Sequence, residues 1–138
     1  MGQRKKSYIP KAFESTGVLN DTSANIYGSM IESPAFKDLS KNQRLLYVYM
    51  KKQYYGTRKP GRDFPDMEQL QGDDLFYFNL ALAVKYNLYS RSNKRQFYTD
   101  IKALVSHGFI KNMTPENKTI LRSVYKFIGE WKMWQDTS

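Results

Sequence analysis

The chain has 138 residues, 41% of them apolar, with no cysteine and with 22 Lys and Arg against 13 Asp and Glu, a formal net charge of +9. The apolar content suffices for the core of one domain, which excludes a disordered chain, and the lack of cysteine excludes disulfides and thiolate zinc sites. The positive charge favours a polyanionic partner, nucleic acid before an anionic membrane surface.

Residues 1–25 are predicted to form a flexible basic arm. Arg4, Lys5, Lys6 and Lys11 supply its charge, and residues 15–25 are rich in Gly, Ser, Thr, Asn and Asp. Two uses are open, contact with DNA phosphates or a minor groove and a purely solubilising role. No apolar stretch follows these charges and no window approaches a membrane span, so we expect a soluble, cytoplasmic protein that does not bind membranes.

Two helices are predicted in the next segment. The first covers residues 26–32 and is broken near Ser33-Pro34, because proline disfavours the α region for the residue before it. The second begins after Ser40, which forms a capping box with Gln43. Its predicted buried stripe consists of Leu45, Leu46, Tyr49 and Met50, with Val48 alongside.

The outer face of this second helix and the loop after it form a basic surface. No acid occurs between residues 39 and 62. The cations of this surface are Lys41, Arg44, Lys51, Lys52, Arg58, Lys59 and Arg62. Such one-sided charge indicates a phosphate-facing surface, and we assign Lys51 and Lys52 to DNA contacts.

Residues 56–74 are predicted to be a loop insertion in which the charge reverses. Its acids, with no base among them, are Asp63, Asp66, Glu68, Asp73 and Asp74. Clustered acids can bind a metal, but neither EF-hand nor H-E-x-x-H spacing is present. A solvated loop that repels DNA and so orients the basic surface is therefore favoured, and no metal or cofactor is expected.

A strand, a helix, a turn and a second helix follow. Residues 75–78 predict a short strand, and Asn79 can cap an apolar helix over residues 80–88. A polar turn at residues 89–91 leads to a helix over residues 93–107. Ser92 is its predicted N-cap, and Gly108 is suited to the left-handed residue that ends it. Its predicted core stripe is Phe97, Ile101, Leu104 and Val105.

The opposite face of this last helix is the main candidate for a functional surface. It has no acid, and Arg and Gln are the side chains that pair with the edges of guanine and adenine. The residues assigned to DNA contact here are Arg91, Ser92, Asn93, Lys94, Arg95, Gln96, Tyr98, Thr99 and Lys102. The alternative is a charged helix face that is merely solvated.

A β-hairpin is predicted after Gly108, with strands at residues 109–112 and 119–127 and a turn at residues 115–117. Asn117, Lys118 and Arg122 are its candidate DNA contacts. Trp131 and Trp134 lie on one helical face, and we expect them to pack over the core, with a dimer contact as the alternative use.

Helix, turn, basic helix and hairpin in this order predict a winged helix-turn-helix over residues 26–138, an α+β fold that is mainly α with a small β-hairpin. The segments at 33–40, 43–47, 98–104 and 107–111 resemble small winged-helix proteins of Gram-positive plasmids and conjugative elements, including replication-initiator-like proteins and accessory proteins of conjugation. The resemblance covers roughly residues 26–134. It implies that the helix at residues 91–102 enters the major groove and that a wing at residues 117–122 flanks it.

The expected function is sequence-specific binding of double-stranded DNA in conjugative transfer, replication or transcriptional control of a mobile genetic element. The alternative is a protein-interaction module that uses the tyrosine and tryptophan surface. A homodimer and other transfer or replication proteins are left open as partners. An enzyme is not expected, because 11 tyrosines meet a single histidine, which excludes the histidine cluster of the usual relaxase site. A structural role is predicted for that histidine, His107.

Overall fold

A computed structural model of the protein describes residues 9–19, 21–54, 59–114 and 123–136. Its helices are α1 (Gly28–Ile31), α2 (Pro34–Asp38), α3 (Lys41–Tyr54), α4 (Pro60–Asp63), α5 (Leu80–Lys85) and α6 (Lys94–Ser106). Its strands are β1 (Leu75–Phe78), β2 (Ile110–Asn112) and β3 (Ser123–Phe127). The α+β class is as predicted. No helix in these four ranges is long and apolar enough to cross a bilayer.

The strands form one antiparallel sheet in the order β1-β3-β2. In the register of this sheet Leu75 pairs with Lys126 and Ile110 pairs with Phe127, so β3 is hydrogen-bonded on both sides. The predicted strand at residues 75–78 is confirmed, and all four of its side chains are buried. The described strands of the hairpin are shorter than predicted, and the predicted turn and wing positions 115–122 lie outside the described residues, as do Arg4, Lys5, Lys6 and Arg58.

The core lies between the sheet and helices α3 and α6, and aromatic rings fill most of it. Phe78 of β1 stacks on Phe97 of α6 with ring centroids 6.3 Å apart, and Tyr47 of α3 lies 5.2 Å from Phe109. Phe78, Phe97 and Phe109 are fully buried. Because burying one such ring contributes about 1.5–3 kcal/mol, these contacts determine how α6 sits on the sheet.

Two residues predicted to be buried are exposed. Leu45 is 45% exposed and Tyr47, next but one, is buried in its place. At 100° per residue Leu45 points away from the face shared by Leu46 and Met50. The prediction for Val105 was also wrong, since this side chain is 39% exposed.

The predicted helix caps are confirmed at two of three positions. Ser40 and Gln43 form the capping box, with the Ser40 amide donating to Gln43 Oε1 at 2.9 Å and the Gln43 amide donating to Ser40 Oγ at 3.2 Å. Asn79 Oδ1 accepts from the Leu82 amide at 2.8 Å. The third prediction, Ser92, was wrong: a 3₁₀ turn at Arg91–Asn93 leads into α6, and the N-cap is Asn93.

Several element ends also differ from the predictions. The helix α5 ends at Lys85 rather than at residue 88, because Asn87 adopts a left-handed φ of 60°. Pro34 breaks the first predicted helix as expected but also begins α2, since proline fits the first turn of a helix. Ser33 caps that helix, with Oγ accepting from the Phe36 amide at 3.2 Å.

The acidic segment is folded onto the sheet rather than being a solvated loop. It contains α4 and a 3₁₀ turn at Glu68–Leu70, and Leu70 is fully buried in a second cluster with Leu75, Tyr77 and Val124. The Tyr77 hydroxyl donates to Asp63 at 2.7 Å. The prediction of a loop insertion was therefore wrong for the described part of this segment, because its few apolar residues are enough to attach it to β1.

The C-terminal segment packs over the end of α6. Trp131 stacks on Phe109 at 6.0 Å between ring centroids, and Trp134 stacks on His107 at 4.6 Å, so the packing predicted for the two tryptophans is confirmed. Gly108 ends α6 with the expected positive φ, +82°, and its carbonyl accepts from the Trp131 amide at 3.0 Å.

We predict that Gly108→Ala strongly destabilises the protein. An added Cβ would lie 2.6 Å from Glu130 C and from Trp131 N, and the positive φ is strained for alanine. We expect the free energy of unfolding in urea to fall by about 2–4 kcal/mol. The control is Gly28→Ala, where an added Cβ meets nothing within 4 Å. Equal effects of the two substitutions would contradict this account of the close contact.

Candidate nucleic-acid interface

One side of α6 is anchored in the core and the other side is open to solvent. Phe97, Ile101 and Leu104 are buried. The residues on the open side, including the turn before the helix, are Arg91, Ser92, Asn93, Lys94, Arg95, Gln96, Tyr98, Thr99 and Lys102, and all of them are exposed. The structure thus brings together all of the predicted contact residues of this helix on one accessible surface.

The open side has a positive charge that no acid of the described chain neutralises. We call Arg91, Lys94, Arg95, Thr99 and Lys102 the α6 basic face. Among the described residues no carboxylate lies within ion-pair distance of its cations. The described part of α6 also provides no side-chain cap for its first turn, so the amides there remain open to an anion such as a phosphate.

The only acid of α6, Asp100, is buried beneath this surface and is 1% exposed. Its Oδ1 accepts from Gln43 Nε2 at 3.1 Å and from Gln96 Nε2 at 2.9 Å, and its Oδ2 accepts from the Tyr89 hydroxyl. Burial, reinforced by this last hydrogen bond, raises the pKa of Tyr89, so the phenol remains a donor at neutral pH. The carboxylate therefore joins α3, the segment before α6 and α6 itself.

This network changes what Gln96 can contribute. The exposed Gln96 amide was predicted to pair with adenine, but it donates to Asp100, and this bond restrains its orientation. Thr99 Oγ1 donates to the Arg95 carbonyl at 3.0 Å and keeps its lone pairs as acceptors. Of the predicted base-pairing side chains, Arg95 is the one with no polar partner among the described residues.

Sequence reasoning missed Asp100 because it concentrated on the outer face of the helix. The signal was available, since an acid directly before Ile101 lies beside the apolar stripe. An acid at such a position must be hydrogen-bonded if it is buried. Its burial also explains the exposure of Val105, because a helix that turns Asp100 inward moves position 105 to the edge of the buried face.

The basic surface predicted on α3 is less uniform in space than in sequence. Lys51 is half-buried, with Nζ 4.9 Å from the centre of the Phe127 ring, and burial lowers its pKa while the nearby Asp74 opposes that shift. Arg44 donates to the carbonyls of Phe36 and Lys37 at 3.1 and 2.8 Å. The structure therefore does not show the uninterrupted phosphate-facing surface that was predicted here.

Lys52 keeps more of its predicted character. Its side chain is exposed, and Nζ lies 5.3 Å from the centre of the Tyr86 ring. Burial lowers the pKa of Lys59, and the charge of Asp73 works against that shift. The acids of the insertion thus lie near some of the cations that precede them in the sequence.

The contacts of His107 are those of a structural residue, as predicted. Nδ1 lies 2.7 Å from the Ala103 carbonyl, and Nε2 lies 2.7 Å from Asp38 Oδ2. Together with the stacking on Trp134, these contacts hold the end of α6 against α2 and the C-terminal segment. Within the described ranges no group of three or more His, Asp and Glu side chains is arranged to bind a metal ion.

Comparison with protein-family models, curated proteins and solved structures finds no match to this chain. Asn117, Lys118 and Arg122, the predicted contacts of the wing, fall outside the described residues. The geometry and charge of the α6 surface are therefore the observations that bear on function.

We predict that Asp100→Asn destabilises the protein by about 1–3 kcal/mol, because an amide there offers one acceptor oxygen and turns donors toward Gln43, Gln96 and Tyr89. Thermal and urea unfolding would measure the loss. The exposed Asp66 provides the control, and Asp66→Asn is expected to change stability by less than about 0.5 kcal/mol. An Asp100→Asn protein as stable as this control would show that the network contributes little.

We also predict a pH dependence that involves Tyr89. Since the pKa of this phenol is raised on folding, its contribution to stability is complete below the unfolded-state value near 10.0 and is lost as the pH rises above it. Tyr89→Phe should lower stability at pH 7 and reduce the slope of stability against pH above about pH 10. Tyr27→Phe, at a side chain that is 75% exposed, is the control and should leave that slope unchanged. An unchanged slope in Tyr89→Phe would contradict the prediction.

Proposed function

We propose that the protein is a sequence-specific double-stranded DNA-binding protein whose α6 basic face enters the major groove. The observation that carries this proposal is the combination of exposed cations without carboxylate partners and a helix whose opposite side is fixed in the core. A rigid helix can hold its side chains in register with base edges. A mobile segment of the same charge would contact phosphates without discriminating between sequences.

The order of the elements supports a winged helix-turn-helix. The chain runs α3, β1, α5, α6, β2 and β3, and the sheet order is β1-β3-β2. In this fold α5 and α6 are the two helices of the helix-turn-helix, and the second of them is the recognition helix. The wing is then the connection between β2 and β3.

The side chains of the α6 basic face suit two kinds of contact. Arg95 can donate two hydrogen bonds to guanine O6 and N7, which contributes about 1–3 kcal/mol of discrimination against other bases. Arg91, Lys94 and Lys102 suit phosphates, where they release counterions and make the affinity depend on salt. With 13 residues, α6 is about 20 Å long, enough to follow the major groove for part of a turn.

The biological setting of this activity is proposed from the resemblance to winged-helix proteins of Gram-positive plasmids and conjugative elements. We place the protein in conjugative transfer, replication or transcriptional control of a mobile genetic element. Footprinting on the DNA around its own gene tests this setting. Protection at a transfer origin, a replication origin or a promoter would each indicate one of the three roles.

The alternative of a protein-interaction module receives less support from the structure. The two tryptophans assigned to its contact patch, Trp131 and Trp134, pack against the core cluster. Binding to random duplex DNA at two salt concentrations separates the two proposals. A DNA-binding protein loses affinity steeply with salt, whereas a module that binds only proteins shows no such dependence.

We predict that Arg95→Ala and Lys52→Ala have different effects on DNA binding. Once selection from a random duplex library has provided a preferred site, Arg95→Ala should weaken binding to that site by about 5- to 150-fold and binding to random DNA far less. Lys52→Ala should weaken binding to both DNAs about equally and reduce the slope of log K against log salt by about 1. Fluorescence anisotropy measures all four affinities.

Lys37→Ala provides a charge-matched control for these variants. It removes the same charge from α2, where Lys37 Nζ lies 3.3 Å from Glu32. We expect both affinities to stay within about twofold of the wild-type values, which is within the usual effect of an exposed ion pair. The proposed role of Arg95 would be wrong if Arg95→Ala weakened binding to the preferred site and to random DNA to the same extent.

A further inference from the structure

A groove of about 590 Å³ lies between α6 and the β2–β3 part of the sheet, directly beside the α6 basic face. Lys102 belongs to both surfaces, because it lines the groove and also carries one of the cations of the face. The volume is in the range that holds a small organic ligand. Any molecule bound to the α6 basic face would therefore pass the mouth of this groove.

The walls of the groove are more apolar than its position on a charged helix face predicts. Tyr98 is 44% exposed and Val105 is 39% exposed, and the buried Ile101 lies between them. On the other side the groove is lined by Tyr125, whose pKa is raised by burial. Apolar and aromatic walls give little to a phosphate, whereas the flat face of a nucleobase packs well against them.

The polar groups of the groove present donors and acceptors as well as charge. Asn112 Oδ1 accepts from the Thr114 amide at 2.9 Å, and the Asn112 Nδ2 group has no hydrogen-bond partner among the described residues. Ser106 Oγ donates to the Ala103 carbonyl at 3.0 Å, which leaves lone pairs to accept. A free amide donor beside a hydroxyl acceptor matches the edge of an unpaired base, which offers both.

We propose that this groove binds the base of one unpaired nucleotide, looped out of or overhanging the duplex on the α6 basic face. This inference rests on the proposed function and deepens it by naming a second class of contact. Tyr98 and Val105 pack against the base, Asn112 donates to it, and Lys102 contacts the adjoining phosphate. An unpaired base needs no unpairing before it enters, which favours it over a base within the intact duplex.

The test compares the preferred duplex with versions that carry one extra unpaired nucleotide at each successive position across the site. We expect the wild-type protein to bind one of these bulged duplexes about tenfold more tightly than the paired duplex, from the packing of a single base. Val105→Trp fills the groove from an exposed position, and it should abolish this preference while leaving the affinity for the paired duplex within twofold.

Two further variants guard against an effect on folding. Leu45→Trp makes the same kind of change at a side chain of α3 that is 45% exposed and does not line the groove, and it should keep the preference. Asn112→Asp preserves the shape and the acceptor for the Thr114 amide but removes the free donor. It should reduce the preference about tenfold, and the melting temperature of each variant reports on its fold.

Three results would overturn the inference. They are a wild-type protein that prefers no bulged duplex, a Val105→Trp protein that keeps the preference, and a Val105→Trp protein that loses affinity for paired and bulged duplexes equally. The last result would make the groove a seat for the duplex backbone.

The paired duplex tests the proposed function separately. If the wild-type protein binds no duplex, that function fails, and the groove is then tested with a short single strand that contains 5-iodouracil. On irradiation a crosslink to Tyr98 would support the base site, and a crosslink elsewhere or none would overturn it.

Discussion

The burial of Phe97 and Asp100 on one side of α6 is the constraint on which the functional surface depends. Phe97 stacks on Phe78 of the sheet, and Asp100 accepts hydrogen bonds from α3, from Tyr89 and from α6 itself. The ring contact is apolar and has little rotational preference. The carboxylate is directional, because a buried charge that loses its donors is strongly destabilising. Together they fix the rotation of α6 about its axis, and with it the residues that face solvent.

This arrangement also sorts the charges of the protein. The single acid of α6 is turned inward, so the exposed side of the helix is positive throughout. Acids of the neighbouring segment lie instead near lysines of α3 and of the loop after it, such as Asp74 beside Lys51. The cations of the described chain are therefore unequal. Those of α6 have no carboxylate near them, while part of the charge on the α3 side is compensated, and this difference concentrates the attraction for a polyanion on α6.

The end of α6 is held as firmly as its middle. Gly108 turns the chain, and Trp131 returns over it with its amide donating to the Gly108 carbonyl. His107 is fixed between Asp38 and Trp134. A helix that reads bases must keep its register to a fraction of an ångström, and contacts at both ends and along one side provide that rigidity. The groove beside Val105 follows from the same rotation, because it opens where the buried face of α6 ends and the sheet begins.

Sequence alone determined the features that depend on neighbours along the chain. The strand at Leu75–Phe78, the capping box at Ser40, the cap at Asn79, the left-handed Gly108 and the exposed basic side of α6 all follow from local periodicity and hydrogen bonding. Tertiary structure decided what depends on distant partners. It placed Asp100 inside and Val105 outside, tied Gln96 to the core, set Asp74 near Lys51 and folded the acidic segment onto the sheet. The physical reason is that the burial of a polar or charged group is set by which donors and charges reach it from other elements, and periodicity along one element does not contain that information.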